Sequence, residues 1–232
     1  ILLKKQLYFL LFFFLLLASC SRRVYYYSGD TYFWQRASQH RIVAVMPAEM
    51  VYTGTQPKNL TPEDIKLIEE RESISFEQSL YTGIMRNVSN SRCIMPVSIQ
   101  DITTTQKILQ DNHISIRDSW IQNDKELAQL LGVDAIVRLR IQKTRYMSDL
   151  ASYGIGVGRE ILYDIANKNR FGVPYIPNKT GDIYAWCNIV SNNETLWNDS
   201  YKGSSNWNRP SDEIIYTITD LFGRHFPYKR RI

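Results

Sequence analysis

The chain is 232 residues long, 44% hydrophobic and 22% charged, with 28 basic against 23 acidic side chains and a formal net charge of +5. That length can bury a substantial core without disulfide staples, and the three cysteines and three histidines show no metal-ligand spacing. The basic excess is weak and forms no stripe interleaved with stacking aromatics, so nucleic acid is not an expected partner.

At the amino terminus Lys4 and Lys5 precede an unbroken apolar run from Leu7 to Leu17, and Ala18-Ser19-Cys20 follows directly. A basic head, an apolar middle and small closing residues make the three-part layout of a secretory signal. The apolar run, about a dozen residues, falls short of the roughly 20 that a spanning helix needs. Leu17-Ala18-Ser19-Cys20 resembles the lipobox of bacterial lipoproteins. The resemblance implies that residues 1–19 are a signal peptide cut after Ser19, and that Cys20 carries a diacylglycerol thioether and an acylated amino terminus, which palmitate would label. Each buried acyl methylene contributes about 0.8 kcal/mol, so several chains together hold the protein on its membrane. Ser21 rather than Asp follows the cysteine, which in lipoproteins with the usual sorting rule directs the chain to the outer membrane, here expected to face the periplasm. Without Lys4 and Lys5 the mature chain has 26 basic and 23 acidic side chains, a net charge of +3.

Residues 20–40, with Tyr25-Tyr26-Tyr27 and Tyr32-Phe33-Trp34, follow no clear period. They are expected as a lipid-anchored linker that docks late, its aromatics either at the headgroup layer or packed on the fold. The globular domain is expected over 41–228, and 229–232, with Lys229-Arg230-Arg231, as a frayed basic tail.

Arg41 to Pro47 reads as a buried strand, being short, β-branched and closed by proline. Thr61-Pro62-Glu63-Asp64 starts a helix, with a capping hydroxyl, proline at the first helical position and acids against the positive end of the dipole. That helix should run to about Asn87, with Ile65, Ile68, Phe76, Leu80 and Ile84 as its buried stripe and Glu69, Glu70, Arg71 and Glu72 as a solvated face. Cys93 to Ile99 resembles a second strand. Asn123 to Gly132 is a capped helix stopped by glycine, and it feeds straight into a strand from Val133 to Ile141. Along that strand Arg138 and Arg140 take the half-exposed side against Val137, Leu139 and Ile141. Residues 182–190 and 194–202 form a hairpin around Asn192-Asn193, a pair tolerant of positive φ, with clean alternation from Asp182 to Trp186. Ile214, Ile218, Leu221 and Phe222 put one apolar stripe on a closing helix after Pro210. The fold class is therefore α/β: a single domain with a mixed β-sheet of about five strands, helices packed against it, and a β-hairpin and a carboxy-terminal helix at the end.

Chemistry-bearing patterns are thin. His40, His113 and His225 are expected in surface roles, and there is no Gly-x-Ser-x-Gly elbow. Asp134 reads as a cap or turn partner. Tyr153-Gly154-Ile155-Gly156-Val157-Gly158 lacks the Gly-Lys-Ser/Thr ending of a phosphate loop and reads as a flexible loop or edge insertion. Cys93 and Cys187 are expected as buried free thiols, with a disulfide as the alternative. No catalytic residue, metal ligand or cofactor is assigned, and the chain is not expected to be an enzyme.

Ile42 to Pro47, Glu126 to Val137 and Gly181 to Trp197 together resemble the periplasmic lipoprotein group that includes the curli-secretion channel family and the activator lipoproteins of penicillin-binding proteins. These share a domain similar to the amino-terminal domain of the Tol-system translocation protein. The resemblance implies a non-catalytic binding and assembly module for another envelope protein, membrane-bound through acylated Cys20, with a homo-oligomer allowed. Tyr153, Tyr201 and Trp207 are candidate contacts. The alternative is a subunit of a curli-type secretion channel or other envelope pore, which would place a membrane-inserted segment near 146–176.

Overall fold

The computed structural model describes residues 31–55, 60–89, 93–145, 181–205 and 211–231. In chain order these form α1 (Thr31–Ala37), β1 (Ile42–Val45), β2 (Glu49–Gly54), α2 (Pro62–Ser89), β3 (Cys93–Ile94), β4 (Ser98–Ile99), α3 (Ile102–Asp111), α4 (Ile116–Ile121) and α5 (Asp124–Leu131). Then come β5 (Ala135–Arg145), β6 (Gly181–Ser191), β7 (Glu194–Ser205), α6 (Ser211–His225) and β8 (Arg230–Arg231).

Six strands make one mixed sheet in the order β4-β1-β5-β6-β7, with β2 beside the second half of β5. β4 runs parallel to β1, and β1 and β2 run parallel to β5. β6 and β7 continue antiparallel as a meander. The class is the α/β one expected, with one more strand in the main sheet.

Local chemistry explains the boundaries. The Thr61 hydroxyl accepts the Asp64 N–H at 3.1 Å while the Asp64 carboxylate accepts the Thr61 N–H at 3.1 Å, a reciprocal cap that starts α2. Asn123 Oδ1 accepts the N–H groups of Lys125 and Glu126, and Gly132 at φ 68 ends α5 in a left-handed turn open to glycine. Asn192 and Asn193 at φ 51 and 64 form the two-residue hairpin turn between β6 and β7. Shortly after it, the ladder shifts: Val190 faces Thr195 but Ile189 faces Trp197, so Leu196 is an extra residue and both Leu196 and Trp197 are buried.

Two layers cover the sheet. On one face α2 and α6 lie over Val137, Leu139, Ile141, Ile183, Ala185, Cys187 and Ile189. They touch closely: a Cβ on Gly223 would stand 2.7 Å from the Gly83 carbonyl oxygen, and Ser79 Oγ meets Thr219 Oγ1 at 2.7 Å beside them. On the other face, among the described residues, α3 and α5 cover the start of β5 and the end of β6, through Ala44, Met46, Ile136 and Val190.

Four expectations are corrected. Residues 31–37, placed in the linker, form α1, and its Phe33 is buried with its ring edge-on to Tyr228 at 5.0 Å, so this aromatic cluster packs on the fold. The Cys93–Ile99 run is not one strand. Pro96, which has no N–H for a ladder, separates β3 from β4. Arg230 and Arg231 are not frayed: β8 pairs antiparallel with β3. Glu72, assigned to a solvated face, is fully buried, where its Oε1 accepts from Lys143 Nζ at 2.9 Å and its Oε2 accepts from the Tyr52 hydroxyl.

Candidate functional site

Among the described residues, helices leave one part of the sheet open. Along β5 the side chains alternate, so Leu139, Ile141 and Lys143 go into the α2–α6 layer while Arg140, Gln142 and Thr144 face the other way, past the reach of α3 and α5. The register puts Arg140 beside Trp186 and Gln142 beside Tyr184 on β6, and these beside Ser200 and Lys202 on β7. On the far side β2 brings Glu49, Val51 and Thr53 opposite Arg140, Gln142 and Thr144.

The centre of this open face is aromatic. Tyr184 and Trp186, two residues apart on one strand, hold their rings nearly parallel, 14° apart with centroids at 6.1 Å, and Lys202 Nζ sits 5.2 Å from the Tyr184 ring. Both rings are half-buried. Amides and hydroxyls surround them: Gln142, Asn188, Asn198, Ser200 and Ser204. Charges balance, with Arg140 and Lys202 against Glu49 and Asp182, and Arg140 Nη1 lies 3.3 Å from Glu49 Oε1.

Arg138 anchors the upper rim. It donates to the Ser119 carbonyl, to the Gln122 carbonyl at 2.9 Å and to Asp124 Oδ1 at 2.7 Å, which satisfies the open carbonyls at the end of α4. Next to this clamp Ile121 is 85% exposed, far more than any other exposed large apolar residue of the described chain.

The other expected residues serve the fold. The Asp134 carboxylate accepts the N–H groups of Arg41 and Ile42 at 2.7 and 2.9 Å, tying the starts of β1 and β5 together. Burial works to raise this carboxyl, but the two N–H groups together with the neighbouring His40 and Arg41 charges outweigh it and hold it below the usual range. His40 Nδ1 lies 2.6 Å from the Tyr228 hydroxyl, and burial lowers its pKa. His225 Nδ1 lies 2.8 Å from Asp199 Oδ2, and His113 sits in the turn after α3 at φ 57. Cys187 is a free thiol at the centre of β6, pushed up by burial. Tyr201 packs against the core rather than standing free. Leu17, Ala18, Ser19, Cys20, Tyr153, the 153–158 glycine segment, the 146–176 stretch and Trp207 lie outside the described residues.

Among the described residues no three of His, Cys, Asp and Glu gather as a metal site, and no helix is long and apolar enough to cross a membrane. The arrangement can hold a ligand by ring contact and hydrogen bonding. The alternation on β6 and the outward arginines of β5 are legible in the sequence; the extent of the helical cover, which decides whether an outward-facing residue is buried or open, is not.

No family model matches the chain, and no curated protein matches it. Among solved structures it is similar to lipoprotein GNA1162 from Neisseria meningitidis, at 10% identity over 72% of this chain and 83% of that one, with a TM-score of 0.41. It is similar also to the PelC dodecamer from Paraburkholderia phytofirmans, at 7% identity over 80% and 88% of the two chains, TM-score 0.37. The LpoB C-terminal domain from Salmonella enterica matches at 11% identity over 72% and 83%, TM-score 0.30. With every TM-score below 0.5, these likenesses carry no function across to this chain.

Proposed function

We propose that this chain is a lipid-anchored, periplasm-facing envelope protein whose domain acts as a non-catalytic binding and assembly module for another envelope protein. The observation that supports this reading most is the open sheet face, where Tyr184 and Trp186 stand parallel between Arg140 and Lys202. Tyrosine, tryptophan and arginine are the side chains most enriched at interface hot spots, and a rim of amides and hydroxyls supplies hydrogen bonds around them. The lipobox-like Leu17-Ala18-Ser19-Cys20 supports the anchor.

The test is a photoreactive residue placed in living cells at position 184 or 186, with position 71 on the exposed side of α2 as control. Adducts to one envelope protein from 184 and 186, lost from 184 when Trp186→Ala is introduced, are expected. Equal adducts from position 71, or none from the face, would defeat the reading.

A further inference from the structure

We propose that a second copy of this chain pairs antiparallel with the free edge of β7, joining two sheets into one. This pairing is independent of what the open face holds. Among the described residues β7 is the outermost strand of its sheet, and α1 guards its start, where Tyr32 and Arg36 both reach Glu194. From Asn198 to Ser204 no described residue outside the β6 ladder bonds to its backbone, apart from Asp199 Oδ1, which accepts the Ser200 N–H at 2.8 Å.

The geometry says which groups are free. A two-residue turn makes Ser191 and Glu194 a hydrogen-bonded pair, and carrying the alternation through the Leu196 bulge turns the N–H and C=O groups of Asn198, Ser200, Lys202 and Ser204 away from β6. The local bond from Ser200 to Asp199 agrees, since that N–H would otherwise be spent on β6. Proteins usually blunt long edges with short strands, proline or several charges. β7 has 12 residues, no proline, and along the free stretch only Lys202 and Asp199 are charged, with Asp199 turned to His225.

The register follows from the side chains. Centred on Tyr201, it sets Ser200 opposite Lys202 of the second copy and Asn198 opposite Ser204, so each of the four outward residues donates one bond and accepts one. Shifting the centre to Lys202 would set that ammonium against its own twin, and shifting it to Ser200 would leave Ser204 unmatched. Asp199 falls opposite Gly203, clear of any acid. On pairing, the Ser200 N–H passes from the Asp199 carboxylate to the facing carbonyl, so Asp199 acts as a placeholder in the single chain.

One strand pair buries less than the roughly 1,000 Å² of a stable interface, so self-association on the order of tens of micromolar is expected. The experiment is sedimentation of the full chain in detergent across a range of concentrations. A dimer should form with rising concentration, persist in Lys202→Thr and vanish in Lys202→Pro. The proline removes an outward N–H and leaves the ladder to β6 intact, so circular dichroism should show the variant folded. The double variant Ser200→Cys/Lys202→Cys should give a dimer cross-linked between positions 200 and 202 on mild oxidation, because residues in a hydrogen-bonded antiparallel pair stand about 5.5 Å apart at Cα. A chain that stays monomeric, a dimer unaffected by Lys202→Pro, or no 200–202 cross-link would overturn the proposal. The cross-link decides the matter if Lys202→Pro fails to fold.

Discussion

Replacing Glu77 by Gln should stabilise the domain at neutral and alkaline pH and change little in acid. Glu77 is fully buried on α2. Its Oε2 accepts from Gln106 Nε2 at 2.8 Å, while Oε1 and, one turn back, Ser73 Oγ have no hydrogen-bond partner among the described residues. Burial raises this carboxyl from 4.5 to about 7, with the Gln106 bond pulling weakly the other way. The folded chain therefore keeps a proton that the unfolded chain releases from about pH 4.5 upward. The contribution of the neutral acid is complete below the unfolded value and is lost as pH rises through the folded one. At about 1.36 kcal/mol per pKa unit, the loss reaches about 3 kcal/mol near pH 8 and stays under about 1 kcal/mol near pH 5. The Glu77→Gln amide cannot ionise, keeps an acceptor for Gln106 and brings a donor toward Ser73. Urea denaturation at both pH values measures the gain. A gain that is equal at the two pH values, or a loss near pH 8, would refute the buried-acid account.

Lys143→Met should destabilise the domain by about 3–5 kcal/mol, because it leaves the buried Glu72 charge without the ammonium that lies 2.9 Å away. Glu72→Gln added to it should recover much of that loss in the same urea titration, and a single variant within about 1 kcal/mol of the parent would contradict the ion pair's role. Gly223→Ala should lower the melting temperature through a cost of about 1–3 kcal/mol, since its methyl meets the Gly83 carbonyl at 2.7 Å. An unchanged melting curve would mean that α2 and α6 can separate freely. Cys20→Ala should move the protein from the membrane to the soluble periplasmic fraction without altering its melting temperature, and radiolabelled palmitate should appear on the parent alone. Membrane retention of the variant would count against the anchor.

The fold was legible wherever periodicity and punctuation agreed. The caps at Thr61 and Asn123, the glycine at 132 and the Asn192-Asn193 turn each mark a boundary by a local backbone preference that tertiary packing did not override. The buried ion pair was legible in principle. Glu72 stands on the same four-residue step as Ile68, Phe76, Leu80 and Ile84, and Lys143 shares its parity with Leu139 and Ile141, so two opposite charges point inward from elements that pack together. Their residue types point to solvent, but their positions point inward. α1 escaped because a seven-residue helix gives too few turns for a period, and β8 because a two-residue ladder exists only through its distant partner β3. The open face needed both sources: alternation names its residues, while the place where α3 and α5 stop is a tertiary fact.

The extra residue at Leu196 sets a parity for everything after it. Deleting it would carry Asp199, Tyr201 and Gly203 to the water side and drive Lys202 and Ser200 into the apolar layer under α6. Point changes along the second half of that strand are each judged on their own merits, but a one-residue indel between Thr195 and Trp197 turns the strand inside out. Among related sequences this short stretch should drift in composition while keeping its length.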